Sequence, residues 1–181
     1  MTMGAKTQPR LNISSLILLA VAFVVAIAIS NQIFRGWRID LTENNLYTLS
    51  AGTKDLLNSL DEPINLYFYF SDDASQSITS LRSYAQRVKE MLEEFEIQGN
   101  GNIQLNIIDP LPFSEDEDRA TQFGLQGVQS GMSDDPIYMG LAGTNSIDNQ
   151  EIIAFFQPDK ETFLEYDIAK LISALSSPDK T

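Results

Sequence analysis

Two acidic groups hold the side chains best suited to chemistry. "SEDEDR", residues 114–119, sets Glu115, Asp116, Glu117 and Asp118 in succession. Carboxylate oxygens are the ligands that calcium and magnesium prefer, so the run invites a cation site. On a helix, however, consecutive residues point about 100° apart, and the glycine of a calcium loop is missing. Ser114 followed three places on by Glu117 is the pattern of a capping box, and acids in a first turn suit the positive helix end. A helix start is therefore expected. The second group is Asp72 and Asp73 on one loop and Asp134 and Asp135, followed by Pro136, on another. Both loops should lie at one end of a sheet. Asp72, Asp73, Asp135 and Pro136 mark a candidate binding cleft, and Asp72, Asp134 and Asp135 a candidate metal site. Solvated turn residues are the plainer account. Tyr67, Tyr69 and Phe70 form either a ligand-facing wall or, as strand aromatics usually do, part of a core.

Other chemistry is excluded by residue type. The 181 residues include neither histidine nor cysteine, which removes the common nucleophile–base pairs and zinc sites. There is no G-x-S-x-G elbow, no phosphate loop and no dinucleotide glycine fingerprint. "GNG", residues 99–101, falls between an expected helix and strand, where turn glycines belong. The expectation is a non-enzyme without metal or cofactor. The lack of cysteine leaves the redox compartment open.

Ahead of these residues, positions 11–34 carry no charge. At ~1.5 Å per residue, 24 helical positions reach roughly 36 Å, enough to cross a bilayer core with some tilt. Lys6 and Arg10, with Ala26-Ile27-Ala28 as a cleavage site, offer a signal peptide as the rival. The apolar run nevertheless continues through Ile29 without a polar break, so an uncleaved anchor is expected. Residues 1–39 hold four bases and no acid, for +4. Residues 40–181 hold all 25 acids and 12 − 4 = 8 bases, for −17. So acidic a domain is repelled by phosphate backbones, which argues against nucleic-acid partners.

The remaining chain alternates between two periodicities. Ser50 caps a short helix running to residue 60. Residues 64–70, "INLYFYF", read as a strand covered on both faces. Residues 81–97 place Leu81, Tyr84, Ala85, Val88, Leu92 and Phe95 at helical spacing. Residues 102–108 form a second strand, parallel to the first across a right-handed crossover. A short helix over 115–123 follows. Strands at 137–143 and 151–157 form a hairpin, and a helix over 162–176 lines up Leu164, Ile168, Leu171, Ile172 and Leu175. The order β-α-β-α-β-β-α resembles the α/β thioredoxin-like fold, with a mixed four-stranded sheet and helices on both faces. Pro136 precedes the third strand, as in that fold, while the redox position at residues 71–80 has no cysteine. The expected organisation is a tail over 1–10, a transmembrane helix over 11–34 and a membrane-proximal collar over 35–62. The thioredoxin-like domain then fills 63–177, and a tail 178–181.

Residues 38–71, "RIDLTENNLYTLSAGTKDLLNSLDEPINLYFYFS", resemble the start of the extracytoplasmic region in auxiliary components of gliding-motility-type ABC transporters. The pattern reads Asp40, Leu41, Thr42, then Tyr47, Thr48, Leu49 and Ser50, followed by a helix, Glu62-Pro63 and a strand. "IIDP" (107–110), "FGLQGVQ" (123–129) and "FFQPDKETFLEYDIAKLISAL" (155–175) continue the likeness, with Leu164, Glu165, Tyr166 and Asp167 as a signature element. The resemblance implies an amino terminus in the cytoplasm and a domain outside the cytoplasmic membrane. It also implies partnership with a multi-span permease and a cytoplasmic ATPase that hydrolyses ATP. Members usually continue into a second extracytoplasmic domain. Under this reading residues 40–60 are a collar, in which Tyr47 and Leu49 pack onto the domain and the Ser50-capped helix fixes its attitude to the membrane. The rival is an independent anchored module that binds a peptide or glycan in the cleft near residues 71–80 and Pro136.

Overall fold

Seven residues of extreme β-forming character, "INLYFYF", make the strand around which the domain is built. In a computed structural model that describes residues 18–19, 21–25, 48–129 and 135–176, they form β1 (Ile64–Phe70). Ile64, Leu66 and Phe68 are buried on one face and Tyr69 on the other. β1 pairs in parallel with β2 (Ile103–Ile108) and antiparallel with β3 (Met139–Thr144), which pairs antiparallel with β4 (Gln150–Ile153). The sheet order is β2-β1-β3-β4. The domain is thus a mixed α/β structure with a mixed four-stranded sheet.

Helices cover both faces because both faces are apolar. Helix α1 (Ala51–Asn58) opens the domain, and α2 (Thr79–Gln98) is the β1-to-β2 crossover. Tyr84, Ala85, Val88, Met91, Leu92 and Phe95 of α2 are buried in one core with Ile64, Leu66 and Phe68. Gly99 ends α2 so close to Ile103 that a Cβ there would lie 2.6 Å from its Cγ1. Helix α3 (Glu115–Phe123) lies on the other face, where Ala120 and Leu125 pack with Tyr69 and Tyr138. Ser114 accepts from the Glu117 amide at 3.2 Å, and Gly124 closes the helix in the left-handed conformation. The acidic run is therefore a capped helix start. Among the described residues no group of three or more acids is placed to hold a metal ion. A 3₁₀ turn (Pro158–Phe163) leads into α4 (Leu164–Ser176), which returns to the first face and buries Leu164, Ile168, Leu171, Ile172 and Leu175. Each such side chain taken from water contributes on the order of 1.5–3 kcal/mol before chain entropy is set against it.

Contacts divide the chain into residues 1–41 and 42–181. In the first unit the described residues, 18–19 and 21–25, are helical and exposed. Among the described residues no helix is long and apolar enough to cross a membrane. The expected span over 11–34 lies largely outside them. Asp40, Leu41, Thr42, Tyr47, Asp134 and the tail over 178–181 also lie outside them.

The hairpin departs from expectation at its ends. Ile137 does not open β3; it bridges to Val128 instead, 2.9 Å in each direction. β4 stops at Ile153 rather than 157, because the Ala154 carbonyl turns to accept from the Gln126 amide. The last helix starts at Leu164, not 162, because Pro158 begins a tighter turn kinked at Lys160. Asn145 sets the hairpin turn: its Oδ1 accepts from the Ile147 and Asn149 amides, and its Nδ2 donates to the Leu175 carbonyl at 2.9 Å.

Two substitutions test this packing. A Cβ on Gly140 would meet the Ile153 and Ala154 carbonyl oxygens at 2.9 Å. Gly140→Ala should cost about 1–3 kcal/mol in a urea titration, since backbone must move. The Tyr69 hydroxyl is buried without a hydrogen-bond partner. Tyr69→Phe should therefore raise stability by about 1 kcal/mol in the same titration.

Candidate functional site

Serine at position 50 caps α1 as its residue type suggests, accepting from the Thr53 amide at 3.3 Å. What its type does not suggest is the partner of its own backbone. The Ser50 amide donates to Oε1 of Glu165 at 2.8 Å, and the Thr53 hydroxyl donates to the same oxygen at 2.5 Å. Glu165 stands in the first turn of α4, 115 residues away. One carboxylate thus ties α1 to α4. Burial pushes the Glu165 pKa up, but the donors on Thr53 and Ser50, with Lys54 nearby, outweigh it and hold the value below the ordinary one. Leu49, only 2 % exposed, enters the main core just before this junction.

The four residues of the Leu-Glu-Tyr-Asp element have separate duties. Leu164 is buried in the core. Glu165 makes the clamp. Tyr166 is 64 % exposed. Asp167, with Tyr84, Leu164 and Lys160, borders a depression of about 130 Å³. Burial, followed by the charges of Asp167 and Asp159, raises the pKa of the Tyr84 hydroxyl, and Arg87 opposes them. Arg87 is ion-paired with Glu161. Thr48 and Ser50, in the expected collar, are exposed.

The expected cleft is split in two. Asp73 and Asp135 border one depression of about 360 Å³, with Ala74, Gln76, Leu111 and Pro112. Asp72 instead faces a larger groove of about 690 Å³, floored by Phe70 and Ile107 and walled by Arg82, Gln86 and Lys89 of α2. There Asp72 pairs with Arg82 at 3.0 Å. That carboxylate is engaged by a guanidinium, and Asp134, a member of the candidate metal site, lies outside the described residues. Pro136 packs against Gly127, where a Cβ would lie 2.7 Å from its own. The aromatic residues divide: Tyr69 is fully buried, Tyr67 stacks on Phe123 at 5.5 Å, and Phe70 stacks on Phe68 while also flooring the larger groove.

Asp109 was not among the expected cleft residues, although its place after β2 and before Pro110 was a signal. Its Oδ1 accepts from the Asp72 amide at 3.2 Å, joining the two loops. Burial raises its pKa, helped by the charges of Asp73 and Asp72 against the amide donors. Ser71, the first residue of the expected cleft loop, extends the sheet instead. Buried, it accepts from the Tyr138 amide on Oγ and donates its own amide to the Tyr138 carbonyl, both at 3.0 Å, which extends the β1–β3 ladder by one step.

These features define a mixed α/β domain whose entry helix is locked to its last helix. Within that class, a family model described as a domain of unknown function (DUF7088) matches residues 43–144, more than half of the chain, and the chain belongs to that family. The match includes Ser50 and Thr53 and ends before Glu165. No curated protein matches the chain, and no solved structure does.

Glu165→Ala should cost about 1–2 kcal/mol, because two donors lose a charged acceptor at a partly exposed site. It should also speed proteolysis within residues 40–60; an unchanged cleavage rate would remove the clamp. Acid should act in the same direction. A folded pKa below the ordinary value gives a stabilisation that is complete above about pH 4.5 and is lost as pH falls through the folded value. Stability of the wild type measured from pH 6 to 3 should fall more steeply than that of Glu165→Ala.

Proposed function

We propose that this chain is a non-catalytic, membrane-anchored auxiliary subunit of an ABC transport system of the gliding-motility type. Its fold is read as thioredoxin-like without redox residues. The strand order β2-β1-β3-β4, the parallel β1–β2 crossover and the placement of α3 opposite α2 and α4 support that reading. Residues 11–34 anchor the chain in the cytoplasmic membrane with the amino terminus inside. Its partners are a multi-span permease and a cytoplasmic ATPase, which carries the ATP chemistry.

The observation that carries the proposal is the clamp of Glu165 on Ser50 and Thr53. It joins the two stretches in which the family resemblance is densest, Thr48-Leu49-Ser50 and Leu164 to Asp167. A domain that only had to be tethered would need no such lock. A domain that relays permease motion needs its first turn to move with its last helix, since a soft joint absorbs displacement.

A second reading is an independent anchored module that binds a peptide or glycan, and the groove between α2 and β2 favours it. Affinity purification of the tagged full chain from mild detergent, with mass spectrometry of co-purifying proteins, separates the two. Stoichiometric enrichment of a permease and an ATPase, reduced by Glu165→Ala, is the expected outcome. Recovery of the chain alone would overturn the transporter reading in favour of the binding module.

A further inference from the structure

Phe113 breaks two rules at once. Its ring is 97 % exposed, the most exposed of the large apolar side chains among the described residues. Its backbone sits at φ 60°, a region that a bulky L-residue rarely adopts and that glycine would occupy freely. The conformation is held from below: the Phe113 amide donates to Oε2 of Glu117 at 2.6 Å, and the Ser114 amide donates to the Leu111 carbonyl at 3.1 Å. A disfavoured backbone secured around a solvent-facing aromatic indicates use, because strain of this kind persists where function requires it.

The surroundings say what kind of partner fits. Leu111, 49 % exposed, and Pro112 run alongside and border the depression that also contains Ala74. Acids frame this apolar tip. Residues 109–119 hold five carboxylates and one guanidinium, and Asp73 and Asp135 edge the depression. Anionic lipid and nucleic acid are repelled by such a rim, and a second copy of this domain brings the same −17 charge. A protruding ring needs a concave receptor, and aromatic anchors in apolar pockets are where interface energy concentrates. We propose that Phe113 anchors a protein-docking surface, whose partner takes the ring into an apolar pocket rimmed by lysine or arginine. The surface stands independently of the transporter reading.

The test is photo-cross-linking in native cells, with benzoylphenylalanine replacing Phe113 in the full chain and, as control, replacing the exposed Ile147 of the β3–β4 turn. A protein adduct should form several-fold more at 113 than at 147. Its cross-linked segment should carry lysine or arginine beside apolar residues, and Glu115→Gln with Asp118→Asn should reduce it. An adduct with lipid, with a second copy, or with a segment lacking basic residues would overturn the docking surface, as would none. A basic segment from a protein other than a permease would support the surface and count only against the transporter reading. Independently, Phe113→Gly should leave the Tm of the purified full chain unchanged or raised. A clear fall would mean that the ring supports the fold, and the proposal would fail.

Discussion

Strand β1 is enclosed on four sides, and that enclosure constrains everything placed around it. Its backbone groups face a neighbouring strand on either edge, and β2 and β3 satisfy them there. Its side chains meet helices above and below, so Phe68 and Tyr69, neighbours in sequence, belong to different cores. An order of elements with two edges and two faces to fill leaves little freedom. The crossover α2 must lie over one face, α3 over the other, and β3 must arrive antiparallel from across the sheet. Gly140 and Gly143 in β3 follow from the same crowding, since a side chain at either would strike the neighbouring strand or α4.

The chain's polar side chains secure what the core leaves loose. Ser71 prolongs the β1–β3 pairing past the last apolar residue, Asn145 shapes the hairpin and reaches the end of α4, and Asn102 donates to the Leu60 carbonyl at 2.7 Å. Glu165 does the same for the entry helix. Each is a short bond spanning a long stretch of sequence. Packing supplies most of the free energy, and these bonds fix which of several nearby arrangements is adopted.

Legibility in the sequence followed the range of the interaction concerned. Interactions within one helix were plain: all five buried residues of α4 were readable from spacing, and Ser50 and Ser114 were readable as caps. β1 was plain because a doubly covered strand has an unmistakable composition. Strand ends were not, because β4 terminates where Gln126, on a distant loop, takes a carbonyl from the ladder. Nor was the site. Asp72 and Asp73 are adjacent in sequence yet border different depressions, and Asp72 is drawn aside by Arg82 ten residues on. Nothing local to Glu165 tells it from Asp167. Only the fold brings Ser50 to one of them.

The lock between Ser50 and Glu165 also sets an order of events in the life of the chain. A ribosome makes residue 50 first and must add 115 more before its acceptor exists. At typical synthesis rates of 5–20 residues per second that interval is roughly 6–23 s. Throughout it α1 has its cap but not its clasp, and until residue 144 is made β1 also lacks β3. Nascent chain up to the loop after α3 is therefore open to proteases and chaperones and still able to pass through a narrow conduit unfolded. Fastening of α1 waits on α4, so a domain cut short before α4 keeps a capped but unfastened entry helix.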